Sequence, residues 1–415
     1  MNSALSYLNA IPIGIYLHIP FCTARCHYCD FNVYVGLERL QERYVRALTR
    51  EIQLSAELYG RLPVQTIYFG GGTPTLLKLD QFEMILRACT DCFAVADDVE
   101  ISVEGNPDGI AAEFLSGLHA LGVNRLSFGA QVFDAAGLRL LGRTHSAEDI
   151  NTAVQHARRV GFDNLNLDLI YGLPDQSLPA WQATLDRAIA LEPDHLSCYA
   201  LQVEEHTVLK VQVARGQLPS PDPDLLADMY DLARERLAAA GFCHYEISNF
   251  AREISTHKTR SVANQLESWN SRLKTCLHNL IYWRNEPYLG LGAGAHGWFG
   301  GERTVNEFRL RPYIEQIEAG TLPVVKREPI GLALEMAETV FQGLRLVEEG
   351  IEFERFARRF GRQLDTVYGQ ELRELQALGL IGVDETRIRL LPKAFFISNE
   401  VFERFLPATS TQAAA

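Results

Sequence analysis

The chain has no run of the roughly 18 to 20 apolar residues that a membrane-spanning helix requires, and no basic stretch ahead of an apolar core in its opening "MNSALSYLNAIPIGIYL". Both absences point to the cytoplasm. It also lacks a cationic excess, with 39 Lys and Arg against 52 Asp and Glu and a formal net charge of −13. A non-specific grip on phosphate backbones or anionic lipid draws on such an excess, so neither nucleic acid nor a membrane surface is the expected partner. Low-complexity tracts are missing before the short tail "PATSTQAAA", and 47% hydrophobic with 22% charged residues is an ordinary globular composition. At 415 residues the chain exceeds what one hydrophobic core usually organises, which implies a large domain and a smaller one.

What is present in a telling pattern is cysteine. A reducing compartment turns eight cysteines toward metal ligation or buried packing rather than disulfides. Cys22, Cys26 and Cys29 lie within "GIYLHIPFCTARCHYCDFNVY" at the spacing C-x3-C-x2-C. A second C-x2-C, Cys89 and Cys92 in "RACTDCF", falls in a helical pattern with no further pair nearby and reads as helix packing. Cys198 and Cys243 sit in apolar, strand-like runs and read as core.

From residue 13 to about 240 a β-branched or aromatic run, a Gly-, Pro- or Asn-rich loop and an amphipathic stretch recur. Strands are expected at 13–19, 64–69, 98–104, 123–129, 163–172 and 194–201, with helices near 37–59, 79–93, 110–121, 146–160 and 178–191. Alternating elements imply an α/β fold with a parallel sheet and right-handed crossovers. Six such units fall short of a closed eightfold barrel, so the expectation is an open, partial (β/α)6 barrel. The notable polar residues keep step with the strands. The cysteines follow the first, "GGGTP" the second, Glu104 ends the third, Gln131 follows the fourth and Asp168 lies late in the fifth. They therefore share the C-terminal rim, where such folds build sites.

Beyond about 242, residues 252–275 are polar and locally basic and read as a long surface loop or loosely docked helix. From 329 three helical patterns precede two short strands in "LIGVDETRIRLLP" and a last helix at "SNEVFERFL", a winged-helix-like arrangement. "RFARRFGR" at 355–362 reads as a solvated face. The expected divisions are a barrel at 1–241, an extension at 242–325, a C-terminal domain at 326–406 and a flexible tail at 407–415.

Structural zinc sites take four protein ligands, as do ferredoxin-type iron–sulfur clusters, so three thiolates on one loop leave a position open. Completion by His18 or His27 would make a zinc site. The stretch "YLHIPFCTARCHYCDF" resembles the cluster loop of radical S-adenosylmethionine (SAM) proteins, with the HIPFC lead-in of the coproporphyrinogen III oxidase-like branch. The resemblance implies a 4Fe–4S cluster on Cys22, Cys26 and Cys29 whose remaining iron is chelated by SAM. It further implies that "FGGGTPTLL", with Gly71, Gly72 and Thr73, borders the SAM methionine group, and that Tyr16 and Tyr28 flank cluster and cofactor. Glu104, Gln131, Arg143 and Asp168 match family residues that contact SAM. Arg143 suits a carboxylate, and Glu104 or Asp168 suits ribose hydroxyls or an amine.

The likeness runs over roughly residues 13–406 and includes "HYEISNFA", "HNLIYW", "YLGLGAGAHG" and the terminal "SNEVFERFL", a C-terminal domain of the type that accompanies this branch. It is strongest to the heme chaperones of the branch, which implies heme and heme-acceptor proteins as partners. The oxidases carry a further cysteine after the third, where this chain has Asp30 and Phe31. Within "HNLIYW", His278 and Tyr282 are the residues the resemblance assigns to heme, and imidazole and phenolate are both known iron ligands. Cys276, two residues before His278, is a further candidate heme contact, with buried core or inert surface as the plainer reading. The chain departs from the family between Ala251 and His278, where the polar stretch intervenes. A radical SAM oxidase acting on coproporphyrinogen III remains the alternative, so the sequence leaves open whether the chain is an enzyme.

Overall fold

The computed structural model describes residues 11–254 and 272–407. The described chain forms two compact units, one taking residues up to Phe242 together with Pro287–Glu328, the other Cys243–Glu286 together with Pro329 onward.

The first unit opens with six βα repeats. Strand β1 (Ile13–Ile19) is followed by α1 (Gln41–Tyr59), β2 (Pro63–Gly71) by α2 (Leu79–Cys92), and β3 (Ala94–Gly105) by α3 (Ala112–Ala120). Then come β4 (Arg125–Gln131) with α4 (Ala135–Leu140) and α5 (Ala147–Arg159), β5 (Leu165–Tyr171) with α6 (Leu178–Ala190), and β6 (His195–Ala200) with α7 (Val208–Ala214) and α8 (Pro223–Ala239). Strands β1 to β6 pair in parallel in chain order, as the alternating pattern implies. The chain next forms β7 (Phe242–Glu246), β8 (Asn249–Arg252) and α9 (Leu277–Trp283). Strand β9 (Tyr288–Leu291) then adds in parallel to the other edge of β1. β10 (His296–Phe299) and β11 (Glu302–Asn306) extend that edge as an antiparallel hairpin, followed by α10 (Leu310–Glu318) and β12 (Val324–Pro329). The sheet of the first unit thus runs β12-β11-β10-β9-β1-β2-β3-β4-β5-β6.

The middle block expected at 242–325 is divided by this pairing. Residues 287–328 complete the barrel sheet through β9, while 243–286 go with the second unit. The strands read as buried apolar runs because helices cover a parallel sheet; in β1 all but Tyr16 are buried. Helix α1 buries Tyr44, Leu48, Ile52 and Ser55, spaced at one turn along a single face. Helix α5 starts at Ser146, whose Oγ accepts from Asp149 N (3.3 Å) while Asp149 Oδ2 accepts from Ser146 N (2.7 Å). Such caps contribute about 1 kcal/mol each.

The second unit holds the β7–β8 hairpin and α9, then α11 (Leu332–Gly343), β13 (Ile351–Glu352), α12 (Phe353–Phe360), α13 (Leu364–Ala377), β14 (Ile381–Val383), β15 (Arg387–Leu390) and α14 (Ser398–Phe402). A small antiparallel sheet orders β13-β15-β14, so helices followed by a hairpin and a last helix are found where expected. Of the polar stretch at 252–275, residues 255–271 lie outside the described residues, as do 408–415 of the tail. The stem of that stretch is zipped shut: Ile254 N donates to Arg272 O (2.7 Å) and Lys274 N to Arg252 O (2.9 Å). The insertion leaves and returns at one point, so α9 begins directly after it. The arginines of "RFARRFGR" do more than face solvent. Arg355 pairs with Glu286 (2.6 Å) and Arg359 with Glu335 (2.8 Å), because α12 lies among acidic side chains of its own unit. No helix among the described residues is long and apolar enough to cross a membrane.

Candidate functional site

The three-cysteine loop is closed at its base and pinned at its tip. Cys22 N donates to Tyr34 O (3.0 Å) and Tyr34 N to Pro20 O (2.7 Å), which staples the two ends together. At the tip, His27 N donates to Leu141 O and Leu209 N to His27 O, both at 2.9 Å. The loop is therefore clamped between the end of α4 and the start of α7, two short helices that the periodicity of the sequence does not single out.

All eight cysteines are free thiols, and the three on the loop are half-buried. Burial pushes the Cys22 and Cys29 thiols up, Cys29 to about 11, and the neighbouring sulfurs push the same way. The three sulfurs thus sense one another, and metal binding here must displace protons. Thr73 Oγ1 stands 3.5 Å from Cys22 Sγ, and Arg143 Nη1 donates to Cys26 Sγ at 3.4 Å. Among the described residues no group of three or more His, Cys, Asp or Glu side chains is drawn into a metal-binding cage.

Of the nearby imidazoles, His18 is committed at both nitrogens and His27 at one. His18 Nε2 donates to Asn32 O (2.9 Å), leaving Nδ1 to accept from the Tyr16 hydroxyl (3.0 Å). His27 donates through Nδ1 to Leu140 O (2.8 Å). Three thiols with a guanidinium beside one of them fit a soft metal centre that keeps one ligand position for a small molecule, and His18, engaged at both nitrogens, is not placed to complete a zinc site.

The rim residues gather around this loop from successive strands. Tyr16 and Tyr68 are register partners on β1 and β2 with ring centroids 6.3 Å apart. Tyr68 donates to Glu104 Oε1 (2.7 Å) and Gly71 N to Glu104 Oε2 (3.2 Å). Burial pushes the Glu104 carboxyl up to about 7, with Asp168 adding to the rise and the Tyr68 and Gly71 donors opposing it. Gln131 is buried with φ of 64°, a left-handed conformation a non-glycine residue seldom holds without a reason. Arg143 Nη2 donates to Gly129 O (2.6 Å) and Asn106 Oδ1 (2.9 Å). Asp168 accepts from Ser127 Oγ (3.0 Å) and Asn166 Nδ2 (2.8 Å), and Asn166 Oδ1 accepts from His195 Nδ1 (2.6 Å). Tyr28 packs against the buried cluster that includes Val132, Leu141 and Leu209.

The glycine run does more than leave room for a ligand. Gly71 has φ of 109°, and a Cβ there would stand 2.5 Å from the His18 ring. A Cβ at Gly72 would stand 2.6 Å from Phe21 O, because Gly72 N and Thr73 N donate to Ile19 O and Phe21 O, both at 2.8 Å. These glycines seat the end of β2 against the start of the cysteine loop. Sequence reading passes over Tyr68, Asn106, Ser127 and Asn166. Tyr68 has a usable signal, since it precedes the glycine run at the register position of Tyr16; the others are ordinary polar residues until the sheet aligns them.

In the second unit His278 and Tyr282 come together. His278 Nε2 and the Tyr282 hydroxyl are 2.8 Å apart, one turn along α9. His278 is 1% exposed, and burial holds its imidazole down at about 3. Cys276 is buried, as expected. The next residues of the motif tie α9 to its surroundings. Trp283 lies under the Arg345 guanidinium at 4.3 Å, and Arg345 pairs with the fully buried Glu246 of "HYEISNF" at 2.6 Å.

A family model described as the radical SAM superfamily matches residues 16–188, and one described as the HemN C-terminal domain matches residues 334–397. The heme chaperone HemW of Bacillus subtilis is 37% identical over 392 residues, covering 94% of this chain and 98% of that protein. HemW of Lactococcus lactis is 34% identical over 395 residues, covering 95% and 97%. The mitochondrial radical S-adenosyl methionine domain-containing protein 1 of Bos taurus is 35% identical over 390 residues, covering 91% and 83%. Among solved structures, coproporphyrinogen III oxidase (HemN) from Escherichia coli, titled a radical SAM enzyme, superposes with a TM-score of 0.78 at 25% identity, covering 97% of this chain and 92% of that one. The chain therefore belongs to the radical SAM superfamily and, within it, to the family of the HemW proteins.

Proposed function

We propose that the chain is a heme chaperone of the cytoplasm that holds a 4Fe–4S cluster on Cys22, Cys26 and Cys29, SAM across the strand rim, and heme that it passes to acceptor proteins. The observation that carries this reading is the loop of three half-buried thiols, with Arg143 on Cys26 and with both nitrogens of His18 engaged. When bound, cluster and SAM together supply one-electron chemistry at the barrel mouth.

The chain's own residues have distinct tasks. Arg143 places a fixed positive charge beside the thiolates and within reach of a ligand carboxylate. Asp168, oriented by Ser127 and Asn166, keeps lone pairs for ribose hydroxyls, and Glu104, oriented by Tyr68 and Gly71, accepts from an amine. Tyr16 and Tyr28 wall the site with aromatic surface, while Gly71, Gly72 and Thr73 fix the distance between β2 and the cysteine loop. His278 and Tyr282 are the heme contacts by resemblance, and for His278 to take iron through Nε2 the bond to Tyr282 must first open.

The similarity in fold to coproporphyrinogen III oxidase favours a second reading, oxidative decarboxylation of that porphyrinogen. Asp30 and Phe31 after the third cysteine, and the names of the full-length relatives, favour the carrier. Anaerobically reconstituted protein given heme should bind it with a defined stoichiometry. Given SAM, a reductant and coproporphyrinogen III, it should release no protoporphyrinogen. Release of protoporphyrinogen would overturn the chaperone reading.

A further inference from the structure

An axial ligand to heme iron must present an accessible imidazole nitrogen with its lone pair uncommitted. His278 meets neither condition, being buried and bonded to Tyr282. His296, at the start of β10 in the first unit, meets both. It is exposed, and its ring nitrogens make no hydrogen bond among the described residues.

The surroundings of His296 suit a flat, apolar ligand that carries a metal ion. Phe308 lies edge-on to the imidazole with centroids 6.3 Å apart, yet is itself 46% exposed. It packs over Gly294, where a Cβ would stand 3.0 Å from its ring. Asn32 ties this corner to the cysteine loop by donating to Ala293 O (2.9 Å) and Phe308 O (3.0 Å), and Tyr34 also donates to Phe308 O (2.9 Å). The residue before Asn32 is Phe31, at 61% the most exposed large hydrophobic residue of the described chain. Phenyl surface held open to water in this way costs free energy that a ligand face can recover. Partial burial first, then the charges of Arg303 and Lys326, holds the imidazole below the ordinary histidine range, so it is a neutral donor near pH 7. Lys326 is itself paired with Glu328 (2.7 Å). Of the other exposed histidines among the described residues, His119 packs against the buried Phe162 ring and His206 lies within electrostatic reach of Glu205.

We propose that heme docks on the rim of the first unit, its face against Phe308 and Phe31, with His296 Nε2 as an axial ligand to the iron. In that step the imidazole donates its lone pair to ferric iron in place of a water molecule; the Nδ1 proton stays and no electron moves. The proposal rests on the heme reading above and adds a contact on the corner that Asn32 ties to the cysteine loop.

The test uses the full chain, cluster-loaded under anaerobic conditions, titrated with ferric heme and followed by absorption and electron paramagnetic resonance. His296→Ala should weaken heme binding about tenfold or more and remove the imidazole-ligated low-spin signal. Free imidazole should restore the signal, while SAM binding stays unchanged. Phe308→Ala should weaken binding several-fold with the signal intact. Wild-type affinity and signal in both His296→Ala and His296→Gln would overturn the proposal, most sharply if His278→Ala or Tyr282→Ala abolished them. Such a result leaves the heme reading standing. Failure of the unmodified chain to bind heme would instead overturn that reading, and this proposal with it.

Discussion

The guanidinium of Arg143 stands with one nitrogen 3.4 Å from the Cys26 sulfur, while the other donates at 2.6 Å to Gly129 O and at 2.9 Å to Asn106 Oδ1. A forked, permanently charged group is thereby fixed between strand β4 and the cysteine loop. A lysine keeps the charge but cannot make three directed bonds from one plane. Arg143→Lys should therefore load its cluster while binding SAM about tenfold more weakly, the scale of one charge-assisted hydrogen bond. Calorimetric titration checks this, and unchanged affinity would separate Arg143 from the cofactor.

Asp168 is oriented from below. Asn166 donates to its carboxylate and is itself held by His195, a buried imidazole whose pKa lies well below the ordinary histidine range because of desolvation first and Arg125 second. If Asn166 acts through Asp168, Asn166→Leu should weaken SAM binding about tenfold in the wild-type background and hardly at all beside Asp168→Ala. Equal losses in both backgrounds would mean that Asn166 serves only the packing of the barrel.

Gly71→Ala tests the seating of the glycine run. The substitution asks an L-residue to hold φ of 109° and to place a methyl group 2.5 Å from the His18 ring. A cost of about 1 to 3 kcal/mol from the backbone alone is expected. The His18 bonds to Asn32 and Tyr16 should break with it, so urea unfolding should show the loss and cluster loading should fall. Native stability with full loading would contradict the close approach.

Glu104 gives a pH signature. Burial favours the protonated acid and raises the carboxyl to about 7, so the charged acceptor is present above that value and lost below it. The affinity for SAM should rise between about pH 6 and pH 8. In Glu104→Gln that rise should flatten. A variant that keeps the full dependence would assign it to another group.

The six-strand core was legible because a parallel sheet writes itself as repeated apolar runs, and the start of β1 and the ends of α1 and α2 fall within a residue of their expected places. The rim was legible for a related reason: strand ends are marked by glycines and polar residues, and Cys22, Gly71, Glu104 and Gln131 sit at those marks. Strand β9 was not, since four residues carry too little periodicity to show that they pair with β1, and the split of the 242–325 block between Glu286 and Pro287 follows from that pairing. Helices α4 and α7, which clamp the loop tip through Leu141 and Leu209, are too short to show a face. Asn166 and Ser127 become informative only when β4 and β5 place them under Asp168. The bond between His278 and Tyr282 depends on both lying on one face of α9, and the burial of His278 there is not something spacing alone reveals.

Iron spectroscopy on protein reconstituted without oxygen tests the open-ligand centre most directly. Mössbauer and electron paramagnetic resonance spectra should report a 4Fe–4S cluster with one iron distinct from the other three, perturbed on adding SAM and absent when Cys22, Cys26 and Cys29 are all replaced by alanine. A protein-coordinated zinc ion in the loop, or a cluster whose spectrum ignores SAM, would contradict it.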